Sequence, residues 1–195
     1  MFSAILSVSA LPSSKCTHLQ QTGLTADEKR KVLNLHNELR QKVARGQEQR
    51  GNPGPQPAAT NMPQLTWDDE LEEMAQQWAN QCDLENHDSC IPKGVGQNMA
   101  SRGTTGNVNS IDVKYLVKDW YNEVDLFNSN EVASFVFHKN PKKIIGHYTQ
   151  MVWAKTTKIG CGAIKFKERE FNTFSLVCNY RVAGNCPGEP VYQRR

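Results

Sequence analysis

Ile159-Gly160-Cys161-Gly162-Ala163-Ile164-Lys165-Phe166 and Phe174-Ser175-Leu176-Val177-Cys178-Asn179-Tyr180 are two short runs of strand-forming residues. The charged stretch Lys167 to Asn172 separates them, so the spacing predicts a hairpin of two strands. Upstream the period is helical. Thr25-Ala26-Asp27-Glu28 has the form of a capping box, and Val32, Leu35, His36, Leu39 and Val43 follow it in steps of three and four. Gly46 is the expected stop. Thr66-Trp67-Asp68-Asp69 opens a second helix, with Leu71, Met74, Ala75, Trp78, Ala79 and Cys82 on one face. A third follows Ser110 and carries Val113, Leu116, Val117, Trp120, Val124 and Phe127. The stretch from Gly51 to Pro57 holds three prolines and reads as an extended connection. Residues 83–110 and 138–143 read as loops. Helices first and paired strands later, without β-α-β alternation, define an α+β fold.

The chain has 195 residues, a formal charge of +3 and 38% hydrophobic residues. That is enough for one domain with a real core. The charge is too small to point to nucleic acid. Lys29-Arg30-Lys31 lies within the first helix and reads as a solvated face. No run approaches the roughly 18 apolar residues of a membrane span. Six cysteines, none in a Cys-x-x-Cys pair, read as three disulfides and an oxidising, secreted context. Residues 1–15 read as a leader remnant or tag-like segment and 16–195 as a single domain. His36 falls on the buried register of the first helix, whereas His18 and His138 sit in polar stretches and are expected to be exposed.

Three further stretches carry a resemblance. These are Gly146-His147-Tyr148-Thr149-Gln150-Met151-Val152-Trp153-Ala154, the run Leu176-Val177-Cys178-Asn179-Tyr180 with Ala183-Gly184-Asn185, and His36-Asn37-Glu38-Leu39-Arg40. Together they resemble the signature segments of the CAP superfamily, which groups cysteine-rich secretory proteins, antigen 5 and pathogenesis-related group 1 proteins. Arg50-Gly51-Asn52-Pro53-Gly54-Pro55-Gln56-Pro57, Trp78-Ala79-Asn80-Gln81-Cys82 and Val95-Gly96-Gln97-Asn98 are similar to the insect antigen 5 allergens of venom and saliva. The resemblance implies a secreted three-layer α-β-α sandwich around an antiparallel sheet, with a central cleft. It also implies the bridges Cys161–Cys178 and Cys16–Cys82. Cys90 and Cys186 remain as an expected third bridge, although six cysteines admit fifteen connectivities.

The residues matching the family's cleft positions are His87, His147, Glu123 and Gln97. Two close imidazoles repel when both are protonated, so near neutral pH they are suited to hold Zn²⁺ as neutral ligands. His87 and His147 are therefore the expected metal ligands, with Glu123 orienting a histidine or accepting a proton. Gln97 stands where many relatives have Glu, and it can do neither acid nor base work. A plain structural hydrogen-bond cluster is the competing reading. Function divides three ways. The chain is a non-enzymatic binder of small hydrophobic ligands (a lipid, sterol or eicosanoid), a protein acting on a host protein through loops 45–62 and 101–110, or a metal-dependent hydrolase. Gln97 demotes the last.

Overall fold

The computed structural model describes residues 11–138 and 143–195. Residues 1–10 of the segment set aside at the N-terminus, and 139–142 of the Lys/Asn-rich loop, lie outside the described residues. Four helices, α1 (Ala26–Ala44), α2 (Asp69–Ala79), α3 (Val113–Asn122) and α4 (Gly146–Met151), surround one sheet. Its strands are β1 (Gln21–Thr22), β2 (Thr66–Trp67), β3 (Val95–Thr104), β4 (Lys158–Glu168) and β5 (Phe171–Arg181). The order is β1-β4-β5-β3, antiparallel throughout, with β2 added in parallel to the start of β4.

The hairpin β4–β5 forms as its sequence predicts. Cys161 and Cys178 stand directly opposite in the register and are bridged. The two faces of the hairpin bury different partners, as a period of two requires. Ile159, Cys161, Ala163, Phe174, Leu176, Cys178 and Tyr180 join the larger core with α1 and α3, while Ile164, Phe166 and Val177 meet Ala75 and Ala79 of α2. Gly160 and Gly162 lie under α2. A Cβ at either position would collide with the α2 backbone at Glu72 or Gln76, so the helix rests on the strand itself. The result is the expected three-layer sandwich, held in part by the disulfide Cys16–Cys82. In the chain-entropy picture, closing loops of 17 and 66 residues contributes about 3 and about 4 kcal/mol.

Helix α1 starts at the capping box, with both reciprocal bonds made by Thr25 and Glu28. Gly46, at φ +69°, follows its last turn. Arg40 is fully buried and has no carboxylate partner among the described residues. Its guanidinium donates to the carbonyls of Pro63, Met151, Trp153 and Thr156 at 2.8–3.2 Å, tying α1 to the chain leaving α4.

Three expectations are corrected, and two features are added. Cys90 and Cys186 are free thiols, so the described residues hold two bridges, not three. Cys90 lies on an exposed loop, and the Cys186 sulfur sits against the Ala183 and Gly184 carbonyls. Residues 95–104 form strand β3 rather than loop. This is a half-exposed edge strand whose glycines and polar residues suppress the apolar alternation. Thr66 and Trp67 belong to β2, and Asp68 is the cap of α2, accepting from Leu71 N–H. Helix α4 lies within the signature segment, too short to show a period. The stretch 45–62 is anchored by a buried Glu48, which binds Lys42 at 2.7 Å, Arg50 at 3.0 Å and the Tyr121 hydroxyl at 2.8 Å. Among the described residues no helix is long and apolar enough to cross a membrane.

Candidate functional site

A cleft of about 540 Å³ opens between the start of β3, the loop before it, the start of α4 and the segment after β5. His87, Gln97 and His147 line it, and Glu123 stands behind His147. The four residues matched from the sequence thus come together, and each position has a local cause. Glu123 follows the last turn of α3, and its carboxylate reaches the start of α4. That helix has no side-chain cap of its own, and Glu123 supplies one, accepting the N–H of His147 at 2.9 Å and of Tyr148 at 3.1 Å. Its other oxygen lies 2.5 Å from His147 Nδ1. A carboxylate can only accept, so Nδ1 carries the proton and Nε2 is the remaining acceptor.

His87 is arranged in parallel by a neutral group. Gln97 Nε2 donates to Asn179 Oδ1 at 3.0 Å, which fixes the orientation of the amide. Gln97 Oε1 then accepts from Asp88 N–H at 3.0 Å and faces His87 Nδ1 at 3.3 Å. Here too Nε2 has no partner among the described residues. The two rings are stacked, with centroids 6.5 Å apart and planes at 28°. Burial pulls the His87 pKa below its ordinary value. The Gln97 bond opposes that shift, and the neighbouring His147 adds to it.

A polar relay connects this cleft to the core. Asn98 Nδ2 donates to the His147 carbonyl at 3.1 Å and to the Tyr180 oxygen at 3.3 Å. The Tyr180 hydroxyl lies 2.9 Å from His36 Nε2, and His36 Nδ1 lies 2.8 Å from the Val32 carbonyl. Because the carbonyl only accepts, His36 takes its proton on Nδ1 and receives one bond from Tyr180. His36 is the satisfied core histidine its register predicts. Burial is the main cause that pushes its pKa down to about 4. Asn98 and Tyr180 carry no signal in the sequence that would assign them to this relay.

His138 departs from its expected exposure. It is half-buried on the cleft wall and bonds Glu131 at 2.8 Å. The rest of that wall is Phe135, Phe137, Lys143, Ile144 and Ile145. Among the described residues, no group of three or more His, Cys, Asp or Glu side chains converges to hold a metal ion. An ion in the cleft would have two imidazoles and water, an open and weakly held arrangement. Chemically, the cleft offers two imidazole lone pairs, a carboxylate whose oxygens already take three hydrogen bonds, and an apolar wall.

An antiparallel sheet between helical layers, two bridges and a paired-histidine cleft define a class of three-layer sandwich proteins. Residues 33–180 match the cysteine-rich secretory protein (CAP) family, and the chain belongs to it. It is 52% identical to a venom allergen 3 homolog of Dinoponera quadriceps, across 95% of this chain and 80% of that one. With the venom allergen 5 of Brachyponera chinensis it shares 49% identity, across 93% and 92%. Among solved structures, NaASP2 with Zn²⁺ superposes with a TM-score of 0.76 at 29% identity, covering 95% of this chain and 91% of that one. BmVAL-1 gives 0.79 at 28%, over 88% and 84%. The chain is an antigen-5-like member of the family, of the kind found in venoms.

Proposed function

We propose that this chain is a secreted, non-enzymatic venom protein whose cleft binds a small hydrophobic ligand and takes up a divalent metal weakly through His87 and His147. The observation that carries the reading is the paired arrangement of the two imidazoles. Each has Nδ1 committed, one to Glu123 and one to Gln97, so both present Nε2 in the acceptor form a metal needs. A solved relative described with Zn²⁺ supports the same use of the fold. The secreted location is supported by the venom allergen relatives and the two disulfides.

Hydrolysis is disfavoured by the same geometry. Glu123 already accepts from two backbone amides and one imidazole, which suits an orienting group rather than a proton shuttle, and Gln97 has no ionisable proton. Calorimetric titration with Zn²⁺ tests the metal reading. Wild type should release heat that the His87→Ala, His147→Ala double variant loses, and an unchanged titration would sink it. Native mass spectrometry of the purified protein should show a co-purifying apolar molecule. A peptide and ester panel with and without chelator should stay silent.

A further inference from the structure

Strand β3 ends the sheet, so one of its edges has no strand beside it among the described residues. Along an antiparallel strand, the backbone groups of alternate residues face the paired strand and the open edge. Two bonds fix the phase. The Gly94 carbonyl accepts from Ala183 N–H on the β5 side, whereas the Met99 carbonyl accepts from Trp120 Nε1 of α3. Even-numbered residues of β3 therefore bond β5, and Gln97, Met99, Ser101 and Gly103 face outward. Trp120 caps this edge at Met99. Beyond it Ser101 to Gly103 are exposed, and no bond among the described residues takes the outward groups of Ser101 or Gly103. Thr105 is exposed and its backbone unbonded in the same way.

The two faces of this stretch differ, since successive side chains alternate. On one, half-exposed Phe171 lies across Gly103, so close that a Cβ there would stand 3.0 Å from the Phe171 Cβ. On the other, Arg102 binds both oxygens of Asp119 and lies 5.4 Å over the Tyr115 ring.

We propose that the β3 edges of two copies of this chain pair antiparallel about a two-fold axis at Gly103, joining their sheets into one. Open backbone groups in strand register are completed by another strand. The occupant is a second copy because the stretch complements itself, as a two-fold contact requires. Each Arg102 brings its own Asp119, so the copies meet without net like charge. The register follows by exclusion. An axis at Arg102 would set two guanidiniums directly opposite each other. An axis at Ser101 would need the Met99 carbonyl, which Trp120 already holds. An axis at Gly103 pairs Ser101 with Thr105 of the second copy. It also sets the two Phe171 rings side by side, covering apolar surface that one copy leaves in water.

Sedimentation velocity over a concentration series tests this, on protein alkylated at Cys90 and Cys186 to prevent intermolecular bridges. So small a contact should dimerise with a dissociation constant of about 0.1–1 mM. Ser101→Pro removes an outward donor and leaves the β5 ladder intact, and it should weaken the dimer about tenfold or more. Phe171→Ser should weaken it about tenfold, and its half-exposed position keeps the fold independent of it. In wild type, Gly103 N–H should exchange more slowly as the protein is concentrated. A chain that stays monomeric into the millimolar range, a dimer that either variant leaves unchanged, an unmoved Gly103 exchange rate, or growth past the dimer would overturn the proposal.

Discussion

His36 and His147 each lie with their ring centroid 6.3 Å from Trp120, one within the core and the other at the cleft. In the core, both nitrogens of His36 are taken, by the Val32 carbonyl and the Tyr180 hydroxyl, and burial keeps the ring neutral. In the cleft, one nitrogen of His147 is held by Glu123 and the other has no partner among the described residues. The same side chain against the same indole is structural in one case and available in the other. What differs is the count of satisfied nitrogens, and the relay through Asn98 and Tyr180 joins the two environments.

The strongest attack on this contrast is at Arg40, which ties the core side to the helix bearing His147. Arg40→Met strands the carbonyls of the buried residues Met151, Trp153 and Thr156 and should cost about 3–5 kcal/mol in urea unfolding. A loss below one kcal/mol would mean that the core side does not rely on this anchor.

Next comes pH. His36 titrates near 4 in the fold against 6.5 when exposed, so the unfolded chain takes up the proton first as pH falls. The stability it contributes is fully present above pH 6.5 and is lost as pH falls towards 4, by about 3 kcal/mol in the limit. Unfolding curves of His36→Leu across that window should lose this component of the slope. A slope identical to wild type would show that the core histidine is not the group titrating.

On the cleft side, Glu123→Gln should weaken Zn²⁺ binding by about 10–100-fold, because the neutral amide orients His147 without raising its basicity. Equal affinity would mean that the carboxylate serves only to cap α4. The smallest effect is a shift in NMR titration. In His147→Ala, His87 should move up towards its ordinary value as a neighbouring charge is removed, with burial still holding it below. The thiol count gives a yes-or-no check on the bridges, since unreduced protein should react at Cys90 and Cys186 and at no other cysteine.

Legibility followed the number of residues that carry each signal. The capping box at Thr25, the stripe from Leu71 to Ala79 on α2 and the β4–β5 hairpin each rest on several residues, and all three form, although Cys82 lies past the end of α2. Strand β3 has a single strand neighbour and a half-exposed surface, so solvent removes the alternation that would have betrayed it. Helix α4 spans only Gly146–Met151 and is capped from another element by Glu123, a signal no local reading contains. For the cleft, the family resemblance picked out His87, Gln97, Glu123 and His147. His138, Lys143 and Glu131 lay outside it, because polar residues in a polar stretch look like surface until the backbone folds them over a cavity.

By itself the sequence determined the α+β class and the β4–β5 hairpin and, through its family resemblance, the bridge within that hairpin and the two cleft histidines. These depend on local periods, on cysteine chemistry and on motifs contiguous in the chain. Only the tertiary structure decided that Cys90 and Cys186 stay unpaired, and that Glu123 and Gln97 leave both cleft imidazoles open at Nε2. Hydrogen-bond satisfaction is settled by groups far apart in sequence, and a one-dimensional pattern holds no record of which donors a fold leaves over.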